Sequence, residues 1–151
     1  MNRSFRVLAV TLLLVSLVAG CGSPAGSCNA TTEIAGPGTP SIVLTSVPSI
    51  GSSNNLKGQV SHVSPAGYYV SAYIYVAGGW WIKPYDANPE TAINCDGTFS
   101  IDITTGGVDP EATVITAFLL PLGFEPLLVN GQATLPQSLY SNAAAVTSVR
   151  R

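Results

Sequence analysis

The sequence predicts an all-β fold, and three observations carry that prediction. Short apolar segments recur between turn signals about every eight to twelve residues, the spacing of strands in a β-sandwich. Charged residues make up only 9% of the 151, while Thr, Ser, Gly and Pro are plentiful, a composition that suits β-branched strands joined by tight turns. Residues 95–98 read "CDGT", and Asp-Gly between two alternating runs is a strong hairpin signal because it supplies positive φ at low cost.

The predicted strands run from Ile42 to Val47, Leu56 to Val63, Tyr69 to Ala77, Trp80 to Lys83, Thr91 to Asn94, Thr98 to Ile103 and Thr113 to Leu120. Two weaker runs lie at Leu127 to Val129 and Ala143 to Val149. After the Asp-Gly turn, a period of two sends Phe99, Ile101 and Ile103 inward and Ser100, Asp102 and Thr104 outward. The third strand carries Val70, Ala72, Ile74 and Val76 on one face and Tyr69, Ser71, Tyr73 and Tyr75 on the other. A strand apolar on both faces is either central and covered twice, or covered once with its aromatic side offered to a ligand.

"AYIYVAGGWWIKPY", residues 72–85, concentrates Tyr73, Tyr75, Trp80, Trp81 and Tyr85. Adjacent strand residues face opposite ways. One tryptophan is therefore expected to fill the sandwich interior, as a central Trp does in immunoglobulin-like domains, and the other to join the tyrosines. Tyr73, Tyr75, Trp81 and Tyr85, with Lys83 and Asn88 nearby, are the candidate binding residues. Flat rings stack on the apolar faces of sugars while amides and charges bond the hydroxyls. The competing arrangement buries the rings under the C-terminal segment "LPQSLYSNAAAV", residues 135–146.

At the N-terminus, Arg3 and Arg6 precede an apolar run from Val7 to Val18 that ends in "VAGC", residues 18–21. The run is too short for a permanent membrane span. It resembles a bacterial lipoprotein signal peptide; an ordinary secretory signal with a chance cysteine is the alternative. The resemblance implies cleavage after Gly20, a diacylglycerol thioether on Cys21 and acylation of the new N-terminus, enough chains for a stable anchor. The protein is then expected outside the cytoplasm, lipid-anchored to the cell membrane or the outer membrane. Gly22, rather than Asp, after the lipidated Cys resembles outer-membrane-destined lipoproteins in a diderm host. The expected organisation is a signal peptide over residues 1–20, a lipidated flexible spacer over 21–40 and a β-sandwich domain over 41–151.

With the strands in order, "LKGQV" (56–60), "YVSAYIYV" (69–76), "TAINCDGTFSIDI" (91–103), "TVITAFLLP" (113–121) and "GFEP" (123–126) resemble the carboxypeptidase regulatory-like β-sandwich. The stretches "WWIKP" and "TTGGVD" depart from that pattern and look more like an immunoglobulin-like accessory module of secreted bacterial carbohydrate-active enzymes. Both resemblances imply a single immunoglobulin-like sandwich of about seven to nine strands with no catalytic set.

After signal removal, the eight acidic residues face only Lys57, Lys83, Arg150 and Arg151. No basic face exists for phosphates, which argues against nucleic acid as a partner. The expected partners are the membrane, through the anchor, and carbohydrate or an envelope protein through the aromatic face. His62 is the sole histidine, and its serine neighbours Ser61 and Ser64 cannot by themselves make a triad. A half-exposed strand histidine is the expectation, and a small secreted lipoprotein hydrolase is the alternative class. Asp86, Glu90, Asp109 and Glu111 read as solvated loop acids: no calcium loop pattern is present, zinc spacing is lacking, and neither a metal nor a cofactor is expected. With Cys21 alkylated, Cys28 and Cys95 remain. An oxidising compartment favours a bridge between them, worth about 4 kcal/mol on the chain-entropy argument, and two free thiols are the alternative.

Overall fold

The computed structural model describes residues 33–151. The signal peptide, the lipidation site Cys21 and Cys28 lie outside the described residues. The chain forms an all-β sandwich of two antiparallel sheets. β1 (Ser41–Ser46), β2 (Leu56–Ser61) and β6 (Thr98–Ile101) make a three-stranded sheet in the order β1-β2-β6. The larger sheet runs β8-β4-β3-β7-β9, with β3 (Tyr68–Val76) at its centre between β4 (Gly79–Lys83) and β7 (Val114–Pro121). β8 (Asn130–Gln132) and β9 (Ala145–Arg150) flank these, and the short β5 (Thr91–Ala92) also pairs with β3. The first, second and sixth strands thus lie in one sheet, and the third, fourth, fifth, seventh, eighth and ninth in the other.

The core between the sheets follows the period of two. Leu56 and Val60 from β2, Phe99 and Ile101 from β6, Ile103 beyond it, and Val70, Ala72, Ile74 and Val76 from β3 are all buried together with Ile115, Ala117 and Leu119 of β7. Gly58 makes room for Phe99: a Cβ there would lie 2.2 Å from the Phe99 ring. The missing side chain lets one large ring cover two strands, and burying such a ring contributes about 1.5–3 kcal/mol.

Turn chemistry explains the β3–β4 hairpin. Val76 pairs with Gly79, leaving the two-residue loop Ala77–Gly78. Both loop residues have positive φ, 50° and 83°, the geometry whose twist matches the flanking strands. The Asp-Gly signal behaves differently. The turn is closed locally, with Gly97 N–H donating to Asn94 O at 2.8 Å, Asn94 N–H to Thr98 O at 2.9 Å, and Thr98 N–H to the Asp96 carboxylate at 2.9 Å. Yet β5 before it pairs with β3, and β6 after it pairs with β2. The turn therefore carries the chain from one sheet to the other instead of closing a ladder between its own arms.

The domain also begins earlier than residue 41. Ile34 N–H donates to Val63 O at 3.0 Å, His62 N–H to Ile34 O at 2.7 Å, and the Ile34 side chain packs on the core. An apolar side chain in the expected spacer docks residues 33–40 onto the end of β2. In the C-terminal part, the weak run expected at Leu127 to Val129 forms no strand, and the eighth strand follows it at Asn130–Gln132. A six-residue helix, α1 (Gln137–Asn142), precedes β9.

Candidate functional site

The outer face of the larger sheet answers the question posed by residues 72–85. Tyr69 and Tyr73 of β3 are buried with Ile82 of β4, Phe118 and Leu120 of β7, Val129, and Leu139 of α1, and Phe124, Leu135 and Ala143 pack on this cluster. The C-terminal segment covers the tyrosine side, and the central strand is covered twice. Tyr73 is therefore not part of an exposed platform: it is fully buried, edge-on to Phe118 at 5.6 Å between centroids. Its hydroxyl donates to Leu127 O at 3.0 Å, and the Tyr69 hydroxyl donates to Phe124 O. The buried phenols thus tie down the loop that crosses them, as buried tyrosines must find acceptors. Burial, with smaller contributions from Glu90 and Glu125, pushes the Tyr69 phenol up to about 12. Burial raises Tyr73 as well, followed by the neighbouring Tyr69.

Neither tryptophan occupies the centre of a core. Register places Trp80 opposite Tyr75 and Trp81 opposite Ile74, so Trp80, not Trp81, shares the tyrosine face. Its ring meets Tyr75 edge-on at 5.4 Å, and both are half-buried. Trp81 lies on the sandwich side of the sheet. β4 is next to the edge there, and the interior is already filled by aliphatic residues and Phe99, so the indole stays 38% exposed.

What remains open is a rim around the β4–β8 pairing. Trp81 is the register partner of Asn130, with an irregularity beside it. The Asn130 amide donates to the Asp86 carboxylate at 2.8 Å, and Asp86 follows Tyr85, which is 57% exposed. The Trp81 ring also approaches Gly131, where a Cβ would lie 3.3 Å from it. Two exposed aromatic residues thus adjoin a carboxylate–amide pair, Trp81 as the register partner of Asn130 and Tyr85 as the chain neighbour of Asp86. Of the four predicted binding residues, Trp81 and Tyr85 belong to this rim, Tyr75 is half-buried behind Trp80, and Tyr73 is core.

Lys83 is not a rim group. Its ammonium is bonded to Asp109 and lies 3.3 Å from Thr105 Oγ1, with both charged side chains more than nine-tenths buried. Gly106 N–H donates to the same carboxylate at 2.5 Å. Asp109 is accordingly a buried structural acid rather than a solvated one, and sequence reasoning missed the pair because 26 residues separate its members. Asp86 is exposed but bonded, while Glu90 and Glu111 are exposed. His62 lies just past β2 with φ of 59°, half-buried, its Nδ1 3.0 Å from Gly36 O. Among the described residues no group of three metal-ligating side chains comes together. Asp96 is held below the usual carboxylate range chiefly by hydrogen bonds from Thr98. Cys95 is disulfide-bonded; its expected partner, Cys28, lies outside the described residues.

No family model, curated protein or solved structure matches the chain.

Proposed function

We propose that the protein is a lipid-anchored extracytoplasmic lipoprotein whose sandwich is a non-catalytic binding module, meeting carbohydrate at the Trp81–Tyr85 rim. One observation carries the binding reading. In a segment where the other rings pack against the protein, Trp81 and Tyr85 stay exposed next to the Asp86–Asn130 pair. Rings supply stacking surfaces for sugar faces, and the carboxylate and amide supply directional partners for hydroxyls. The "VAGC" stretch and the acidic, weakly charged mature chain support export and anchoring. His62, engaged by a backbone carbonyl on a loop of its own domain, supports binding over hydrolysis.

The test is titration of the purified protein with soluble cell-wall polysaccharide fragments, followed by tryptophan fluorescence. Trp81→Ala and Tyr85→Ala are each expected to weaken binding about tenfold, the loss of one stacked ring, with little change in melting temperature. A fluorescence response to no fragment, or equal affinity of parent and both variants, would remove the rim from consideration.

A further inference from the structure

A concavity lies at the first residues of β3, where β5 pairs with Tyr69 and Val70. It measures about 400 Å³, within the range of small-ligand sites. Pro65, Ile93 and Leu122 give it apolar walls, half-buried Tyr68 and buried Tyr69 are its aromatic residues, and Asn88 and Glu90 are its polar groups. Asn88 also bridges to Tyr85, so the loop over residues 84–90 borders both this cleft and the Trp81–Tyr85 rim.

The charge around the cleft is one-sided. Glu90 lines it, and both Glu90 and Glu125 act on the Tyr69 phenol. The described cations are elsewhere. Lys83 is bonded to Asp109, and Lys57 is on β2 in the other sheet. Arg150 pairs with Val114, whose β3 partner is Tyr75. Six residues separate Tyr75 from Tyr69, about 20 Å at the rise of a strand. Arg151 caps that same far end, donating to Ala112, Pro48 and Pro110 carbonyls. A negative, aromatic and apolar cleft without a cation of its own fits a positive charge on a short hydrocarbon stem. The half-buried Tyr68 ring attracts such a cation by its quadrupole, the walls take the stem, and the Glu90 carboxylate fixes the head.

We propose that this cleft is a binding site for an alkylammonium group, supplied by a free amine or by a lysine side chain. The proposal is independent of the glycan reading and uses different residues.

The experiment is an NMR titration of the full chain, following the amides of Ala66, Ala92, Ile93 and Leu122. The free-amine probe is n-butylammonium, with 1-butanol as its neutral counterpart. The side-chain probe is N-acetyl-lysine amide, with N-acetyl-norleucine amide as control. Saturable shifts at these four amides are expected for at least one cationic probe and weaker ones for its neutral partner; which probe binds more tightly identifies the source. Glu90→Gln, at an exposed position that should leave folding intact, should weaken the cation roughly three- to fivefold and leave the neutral probe unchanged. Ala92→Phe, which fills the cleft while keeping Glu90, should abolish both responses. Equal binding of charged and neutral probes, no shift with either cation, or an unaltered affinity in Glu90→Gln would overturn the proposal. Loss of glycan binding in Trp81→Ala has no bearing on it.

Discussion

At the residue scale, the most consequential contact is the Lys83–Asp109 pair. Two charges removed from water cost several kcal/mol each, offset only by mutual attraction and by further hydrogen bonds, here from Gly106 N–H to the carboxylate and from the ammonium to Thr105 Oγ1. Removing one partner leaves the other buried and uncompensated. Asp109→Ala is therefore expected to destabilise the domain by about 3–5 kcal/mol, and the double variant Lys83→Met/Asp109→Leu to recover most of that loss. Urea denaturation of the three proteins checks this; a double variant as unstable as the single one would mean that the pair itself, and not the stranded charge, matters. The buried phenols give a pH signature. Tyr69 titrates near 12 in the fold against 10.0 ordinarily, so the unfolded chain loses its proton first. The stability contributed by keeping the phenol neutral is fully present below pH 10 and lost as pH rises through about 12. Tyr69→Phe should flatten that alkaline decline in the urea midpoint. A decline of unchanged steepness would assign it to other groups.

At the element scale, β3 and the C-terminal segment decide the character of the molecule. β3 is apolar on both faces, and its tyrosine side needs a lid. α1 supplies one: Leu139 is buried against the tyrosine cluster, and Tyr140 meets Phe118 edge-on at 5.0 Å. A six-residue helix has little stability of its own, so packing holds it. Leu139→Ala should cost about 2–5 kcal/mol as a large-to-small change in a core. It should also loosen the lid, which amide hydrogen exchange in residues 137–142 would report. Unchanged exchange with unchanged stability would mean that the tyrosine layer stands without the helix. β4 teaches a different lesson. Opposite faces for Trp80 and Trp81 follow from strand geometry alone, but whether either face is covered depends on what lies across from it. β4 is next to the edge of its sheet, and the interior there is filled by other residues.

At the scale of the whole molecule, our proposal is that a lipid on Cys21 holds the sandwich at a membrane surface. If "VAGC" is a lipidation signal, Cys21→Ser should release the protein from membranes or leave an uncleaved precursor, seen by fractionation and intact mass. A variant still processed, lipid-labelled and membrane-bound would end the lipoprotein reading. Cys95 is disulfide-bonded, and pairing with Cys28 would tie the N-terminal part of the sequence to the turn between the two sheets. Non-reducing peptide mapping should recover the Cys28–Cys95 peptide; a bridge from Cys95 to any other cysteine would refute that pairing.

Local chemistry was enough to place most of the strands. The period of two named Phe99, Ile101 and Ile103 as core, the doubly apolar β3 was visible as Val70–Val76 against Tyr69–Tyr75, and the Asp-Gly turn was found where it forms. These are legible because a strand's faces and a turn's φ angles depend on neighbours in sequence. Partnership is not. That the Asp-Gly turn bridges two sheets, that Trp80 rather than Trp81 joins the tyrosines, that Ile34 docks the end of the supposed spacer and that Lys83 meets Asp109 all depend on which segments lie side by side. Only the packed fold decides which apolar face is covered and which charge is desolvated, because burial is a property of the surroundings and not of the residue.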